Sequence, residues 1–166
     1  MEPVFWKLSM RPGDGNDFPD LLHVLDWLRQ GFVLVHKNTP PMGKSENAQG
    51  ADFVDKARIG DYFYLCHGNR APSVILLGQF TGPADILSPF ILTNGDWKDG
   101  WAPRTFRWIK TALRSAKYRG DRKWWTPIGN STFIRIKQEE LGEFEETILQ
   151  PYFDVKLADF GINAHD

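Results

Sequence analysis

Cysteine is almost absent from this sequence, because its 166 residues include only Cys66. A single cysteine excludes an internal disulfide framework and any zinc site built from several cysteines. The chain also lacks an apolar run of the roughly 18 residues that a membrane helix requires. Four aspartates interrupt the first 26 residues, where a secretion signal needs a long uncharged core. These absences predict a cytoplasmic protein with no membrane partner.

The short motifs of common catalytic sites are missing as well. The sequence contains no Gly-x-Ser-x-Gly elbow, no Walker loop, no Gly-x-Gly-x-x-Gly, and no two histidines at the spacing of metal ligands. Cys66 and His67 are adjacent, but neighbours on a strand point to opposite faces, so one cannot easily activate the other. We therefore expect a protein that is not an enzyme and that holds no metal and no other cofactor.

Acidic residues are scarce in one part of the chain, residues 104–137, which we call the basic stretch. The net charge of the whole chain is −1, but this stretch holds 10 lysines and arginines against 1 acidic residue. Trp108, Tyr118, Trp124 and Trp125 are interleaved with the cations. Cations attract phosphates and flat rings stack on bases, so the pattern suits a polyanion partner. The alternative is a solvated face balanced by the acidic residues that follow position 137.

The cations of the basic stretch include seven that we expect to contact a nucleic-acid backbone. They are Arg104, Arg107, Arg114, Lys117, Arg119, Arg122 and Lys123.

The succession of apolar runs and turn residues predicts one domain, residues 1–158, with a tail at 159–166. Leucines at helical spacing predict a helix that ends at Gly31, and helices are also predicted at 51–58 and 138–149. Runs of β-forming residues bounded by turn residues predict strands. These strands are at 4–8, 32–36, 62–67, 73–80, 105–115 and 131–136. The combination predicts a mixed α/β fold, with a strongly bent mixed sheet or open β-barrel and flanking helices.

Tryptophan is abundant, with seven residues, and its positions differ in meaning. Trp6 and Trp27 lie in a predicted strand and a predicted helix, and we expect both in the core. Trp97 and Trp101 lie in a segment rich in Gly and Asp, where core packing is a weaker explanation. They can wall a pocket that stacks on an extruded base. The alternative is that each ring packs its own loop onto the domain.

Several segments resemble, in order, those of the EVE family, a branch of the PUA-like fold related to YTH domains. The opening Phe5-Trp6-Lys7-Leu8 is similar to the first strand of the family, and Asn47-Ala48-Gln49 to its Asn-x-Gln-Ala segment. A short helix, Ile59-Gly60-Asp61 and a strand ending in Cys66-His67-Gly68-Asn69 follow, as in the family. Gly78 matches the glycine of the returning strand, and Pro103-Arg104-Thr105-Phe106-Arg107-Trp108-Ile109 resembles the Pro-Arg-Trp-Val strand.

The resemblance implies a PUA-like domain that holds a modified base, extruded from its strand, in an aromatic-lined pocket. Such domains serve as reading modules of modification-dependent restriction systems, including McrBC-type nucleases. DNA with a methylated cytosine or adenine is the implied partner, RNA is the alternative, and a nuclease or GTPase effector is a further implied partner. Carried over residue by residue, the pocket comprises Ser9, Met42, Asn47, Gln49 and His67, with Trp97 and Trp101 in place of a family tryptophan that is absent near Met42.

Two readings from other classes remain open at this point. A protein-interaction domain would place the basic stretch against an acidic surface of a partner protein. A small hydrolase would use Cys66 as its nucleophile.

Overall fold

The computed structural model describes residues 2–10, 21–41, 48–67, 73–84, 101–113, 117–129 and 131–163. In this part of the chain six strands form one sheet, in the order β2-β5-β4-β3-β1-β6. Their bounds are β1 (Phe5–Ser9), β2 (Phe32–His36), β3 (Tyr62–His67), β4 (Ser73–Phe80), β5 (Trp101–Thr111) and β6 (Phe133–Arg135). β1 and β3 run parallel and the other neighbours antiparallel, so the predicted mixed sheet is confirmed.

Helices flank the sheet at the positions that the sequence predicts. The α-helices are α1 (Leu21–Gln30), α2 (Gln49–Ala51) and α3 (Leu141–Phe144). α2 continues as a π-helical turn, Asp52–Lys56. α3 follows a 3-10 turn, Gln138–Glu140, and continues as a π-helical segment, Glu145–Phe153; a further 3-10 turn spans Leu157–Phe160. α1 ends at Gly31, whose φ of 92° is a left-handed conformation that glycine adopts without steric cost.

The sheet curls into a half-barrel because β5 pairs with different strands along its length. Its first half pairs with β2, where Trp101 lies opposite His36. Its second half pairs with β4, and the register shifts between Leu77 and Gly78 of that strand. A bulge increases the local twist of a strand, which lets one strand turn from one neighbour to the next.

Both faces of the sheet are buried, and alternation along the strands divides the core into two clusters. On the first, the α1 face, Trp6 and Leu8 pack with residues of α1 that include Trp27. On the second, the C-terminal face, Phe5 and Tyr64 pack under Tyr118, Trp125 and the C-terminal helical segment, 138–153. The expected core positions of Trp6 and Trp27 are thus confirmed.

Residues in the predicted tail also pack on the domain. The ring of Phe160 lies 5.3 Å from that of Phe5 and 4.9 Å from that of Tyr62. Ile162 is buried in the cluster on the C-terminal face. The packed part of the chain therefore extends past residue 158, to Ile162.

Gly78 occupies the one place on β4 where two aromatic rings from neighbouring strands converge. A Cβ atom there would lie 2.5 Å from the ring of Phe63 and 2.9 Å from the ring of Phe106. Both distances are shorter than van der Waals contact, and both rings belong to the packed α1 face.

We expect Gly78→Ala to lower the free energy of unfolding by about 1–3 kcal/mol, because the methyl group forces two packed rings apart. Gly142→Ala is the matched control, since a Cβ at Gly142 meets nothing within 4 Å. Urea denaturation of both variants measures the difference. Equal stabilities would show that the rings over Gly78 yield without cost.

Candidate nucleic-acid interface

Gln49 links the two edges of the curled sheet. Its side-chain Oε1 accepts hydrogen bonds from the backbone N–H groups of Thr132, at 2.6 Å, and Phe133, at 2.9 Å, where β6 begins. Its Nε2 donates to the carbonyl oxygen of Pro40, at 2.9 Å, shortly after β2 ends. Gln49 is buried, and both polar atoms of its side chain have partners within the fold. Gln49, which the resemblance implies as a base-pocket residue, therefore joins the two edges of the half-barrel.

The start of α2 packs directly on the end of β2. A Cβ atom at Gly50 would lie 2.3 Å from the carbonyl oxygen of Lys37 and 2.4 Å from that of His36. The Gly50 N–H donates to the carbonyl of Thr39 at 3.1 Å. Because only glycine permits this approach, α2 carries Gln49 to the gap between the edge strands.

Ser9 and His67 lie at neighbouring strand ends but face different sides of the sheet. Ser9 ends β1 opposite Cys66, and its side chain hydrogen-bonds to the thiol, which belongs to the C-terminal face. Alternation along β3 places His67 on the other side, with Leu65 of the α1 face. The backbone N–H of Ser9 donates to the carbonyl of Thr132 at 2.7 Å, so Ser9 lies beside the residues that Gln49 holds.

Burial changes the titration of the adjacent pair at the end of β3. Burial raises the pKa of the Cys66 thiol, an effect opposed by Lys7 and by the hydrogen bond from Ser9. Burial lowers the pKa of His67, and its Nε2 is buried with no hydrogen-bond partner. A protonated thiol is a weak nucleophile, which is unfavourable for the hydrolase reading. A neutral imidazole with a free nitrogen can form a hydrogen bond with a ligand.

Trp101 lies at the start of β5, edge-on to His36, with ring centroids 5.2 Å apart. It is half-buried and packs against the cluster on the α1 face. Gly50 contacts the same end of β2, so direct contacts connect Trp101 through His36 to Gln49. Gln49 in turn reaches the backbone of Ser9 through Thr132, but the Ser9 side chain belongs to the C-terminal face, whereas Trp101 packs on the α1 face. The other expected pocket residues, Met42, Asn47 and Trp97, lie outside the described residues, as does Arg114 of the basic stretch.

Arg104 differs from its expected role as a phosphate contact, because its side chain is only 3% exposed. Its Nη1 donates to the carbonyl of Phe53 at 2.7 Å and its Nε to that of Gly82 at 2.8 Å. The guanidinium lies over the ring of Phe80, 4.5 Å from the centroid. Burial lowers its pKa and the carboxylate of Asp61 raises it. Arg104 therefore joins β5 to the turn after α2 and is corrected to a structural residue.

Four of the seven cations that we expect to contact a nucleic-acid backbone lie at the surface. Arg107, Lys117, Arg119 and Arg122 are exposed. Arg107 extends from β5 beside Gln79, whose Oε1 accepts its hydrogen bond at 2.7 Å. A hydrogen bond to a neutral amide leaves the positive charge available to a phosphate.

Lys123, by contrast, is neutralised within the fold. Its Nζ lies 2.6 Å from Oε2 of Glu143 and 3.5 Å from Oε2 of Glu140. The pKa of Lys123 is raised, chiefly by its hydrogen bond to Glu143. At Lys123, therefore, acidic C-terminal residues balance a positive charge of the basic stretch, as the alternative reading of the sequence expects.

The adjacent tryptophans 124 and 125 have opposite environments. Trp125 is 2% exposed, and its Nε1 donates to Oε2 of Glu140 at 2.8 Å. Trp124 is 44% exposed. A second exposed indole, Trp108, lies on β5 next to Arg107, and its Nε1 donates to the hydroxyl of Thr111 at 3.0 Å. The sequence places Trp108 and Trp124 among the cations of the basic stretch, and neither belongs to the expected base pocket.

A cavity of about 250 Å³ lies near the start of β1, away from Ser9. Its charged lining residues are Glu2, Arg58 and Arg135. In the described part of the chain, no cluster of three or more His, Cys, Asp or Glu side chains has the geometry to bind a metal ion. No helix among the same residues is long and apolar enough to cross a membrane.

These features define a mixed α/β domain with a curled sheet, exposed arginines and lysines, and exposed indole rings. No family model matches the sequence, and no curated protein matches it. Solved structures with similar coordinates exist, all at low similarity. A protein from Pseudomonas putida is 18% identical, with a TM-score of 0.39, over 67% of this chain and 71% of the other.

Two further structures give comparable values. A hypothetical protein from Leishmania major is 15% identical, with a TM-score of 0.36, over 64% of this chain and 66% of the other. The human THYN1 protein in complex with DNA containing 5-methylcytosine is 12% identical, with a TM-score of 0.39, over 86% of this chain and 75% of the other. Identities and TM-scores this low establish neither family membership nor function.

We expect Gln49→Ala to destabilise the fold by at least about 2 kcal/mol, because two backbone N–H groups and one carbonyl lose their partner. Gln49→Glu keeps an oxygen acceptor for Thr132 and Phe133, but it buries a carboxylate against the carbonyl oxygen of Pro40, so we expect it to be destabilised as well. Thermal denaturation above pH 6 compares the two variants. If Gln49→Ala melted with the wild type, Gln49 would not be what holds the sheet edges together.

Proposed function

We propose that this chain is a non-enzymatic domain that recognises a modified nucleobase in DNA, a methylated cytosine or adenine, held outside its strand. The exposed part of the basic stretch carries the proposal: Arg107, Lys117, Arg119 and Arg122 are exposed, with indole rings among them. Phosphate contacts supply salt-dependent affinity and aromatic rings supply stacking on bases. The ordered resemblance to the EVE family supports the same function.

We place the proposed pocket beside Thr132, whose backbone contacts both the side chain of Gln49 and the backbone of Ser9. Extrusion of a base costs a few kcal/mol, which stacking and hydrogen bonds to the base edge must offset. The unpartnered Nε2 of His67, at the neighbouring strand end, is a further group for such a hydrogen bond. Burial of one methyl group contributes about 0.8 kcal/mol, and with its contact to ring faces gives about tenfold preference for methylated DNA.

A domain that only binds modified DNA requires a second protein, an effector, to act on that DNA. The resemblance to reading modules of restriction systems leads us to propose a nuclease or GTPase subunit as that effector. Co-purification with such a subunit from the source cells tests the partner separately from the binding of DNA.

A protein-interaction domain, with the basic stretch against an acidic surface of a partner, is the second candidate; Lys123 shows that a cation of this stretch pairs with carboxylates. It predicts that oligonucleotides bind weakly and without dependence on salt, which filter binding across a salt series measures. RNA in place of DNA is tested in the same assay with ribose and deoxyribose oligonucleotides of equal sequence.

Trp101→Ala should abolish the preference for a modified base, because this half-buried indole is an expected pocket ring that lies within the described residues. Trp101→Phe keeps an aromatic face and should retain part of the preference. The assay is a panel of one DNA sequence with cytosine, 5-methylcytosine, hydroxymethylcytosine, glucosylated cytosine or N6-methyladenine, in single and double strands. Unchanged preference in a folded Trp101→Ala would remove this ring from the pocket, and unfolding would identify it as core.

Arg107→Glu should weaken the binding of every oligonucleotide alike and reduce the slope of log affinity against log salt by about 1. Arg29→Glu is the control, an equal charge reversal at an exposed arginine of α1, outside the basic stretch. Fluorescence anisotropy at four salt concentrations gives both slopes. Equal slopes in the two variants would show that Arg107 belongs to a solvated surface.

A further inference from the structure

Trp124 combines two properties that rarely occur together, an exposed indole and a tightly fixed backbone. Its ring is 44% exposed, although the next residue in the chain is 2% exposed. An exposed tryptophan ring has a cost in solvation, and a fixed one also loses conformational entropy. An exposed ring on a fixed backbone is well suited to contact with a ligand.

Lys7 provides the first of the contacts that fix the backbone of Trp124. Its side chain is fully buried beneath the segment that follows Trp124. Its Nζ donates to the carbonyl of Gly129 at 3.1 Å, and to the carbonyl and hydroxyl of Ser131 at 2.5 and 2.9 Å. The Ser131 hydroxyl in turn donates to the carbonyl of Trp124. The buried ammonium is thus connected to the backbone of Trp124 through one hydroxyl.

Contacts on the other side complete the support. The Tyr64 hydroxyl donates to the carbonyl of Trp125. The Thr126 hydroxyl donates to the carbonyl of Lys123 at 2.8 Å. A Cβ atom at Gly129 would lie 2.7 Å from the carbonyl oxygen of Trp124, so the turn closes on itself. The backbone on both sides of the indole is therefore held by buried groups.

The same segment reaches the proposed base pocket. Ser131 is followed by Thr132, whose N–H donates to Gln49 at 2.6 Å and whose carbonyl accepts from Ser9 at 2.7 Å. Arg122, two positions before Trp124, is exposed, whereas Lys123 is paired with carboxylates. An exposed arginine thus lies two positions before the exposed ring, on a segment whose backbone is held by buried groups.

We propose that Trp124 is a preorganised stacking surface for the unpaired base next to the extruded one, with Arg122 on the phosphate of that nucleotide. This inference rests on the proposed function and adds to it a second contact that is indifferent to modification. Every nucleobase has a π face, so stacking here strengthens binding without reading the base. A backbone fixed before binding loses little freedom on binding, which favours affinity.

The test is the anisotropy of single-stranded and duplex DNA with cytosine or 5-methylcytosine, for the wild type and variants of Trp124. Trp124→Ala should bind both bases about tenfold more weakly. The preference for 5-methylcytosine and the salt slope should stay unchanged, because neither the pocket nor any charge is altered. Trp124→Phe should recover most of the affinity. Ile59→Ala, which removes an apolar side chain of 61% exposure outside the basic stretch, is the control and should bind as the wild type does.

The other possible results of this experiment distinguish the role of Trp124 from the proposed function of the domain. If the wild type prefers 5-methylcytosine and a folded Trp124→Ala binds equally well, this inference is overturned and the proposed function stands. If Trp124→Ala loses the preference itself, Trp124 is a wall of the pocket and the assignment to a flanking base is wrong. A wild type that binds no oligonucleotide removes both proposals. Equal losses in Trp124→Ala and Trp124→Phe, with lowered melting temperatures, would assign the ring a structural role only.

Discussion

A lysine ammonium buried on the C-terminal face of β1 is the constraint on which the arrangement of this domain depends. An isolated buried charge is prohibitively unfavourable, so Lys7 requires acceptors for its three N–H groups. Gly129 and Ser131 provide three oxygens within hydrogen-bond distance. The chain before β6 must therefore cross the C-terminal face at one place. That crossing sets where β6 begins and where Trp124 projects.

Gln49 imposes a complementary constraint on the opposite face of the fold. A half-barrel leaves two edge strands with unpaired backbone groups, which other proteins would otherwise pair with. Here one amide side chain satisfies groups from both edges, with the close packing of Gly50 on β2 holding it in place. The two polar side chains, Lys7 and Gln49, act on residues at the start of β6. They explain why this short strand, with few ladder hydrogen bonds of its own, is well fixed.

The basic stretch shows how a fold divides a charge pattern into separate functions. Arg104 faces the α1 cluster and forms hydrogen bonds with backbone carbonyls, while Lys123 meets the carboxylates of the C-terminal helical segment. Arg107 and Arg122 remain exposed. Only the exposed group can exchange counterions for phosphates, so the electrostatic affinity for a polyanion is lower than the count of cations in the sequence would indicate.

The sequence by itself determined the order of strands and helices, the mixed α/β class and the core positions of Trp6 and Trp27, because periodicity and turn residues are local signals. The resemblance matched Gly78 to a family glycine, but only the structure shows that two rings approach it closely. Only the tertiary structure decided that Gln49 and Arg104 are internal, that Ser9 and His67 face opposite sides of the sheet, and that Trp124 rather than Trp125 is exposed. Each of these depends on which partner lies across a non-local contact, and a side chain's polarity does not reveal whether water or a distant carbonyl will satisfy it.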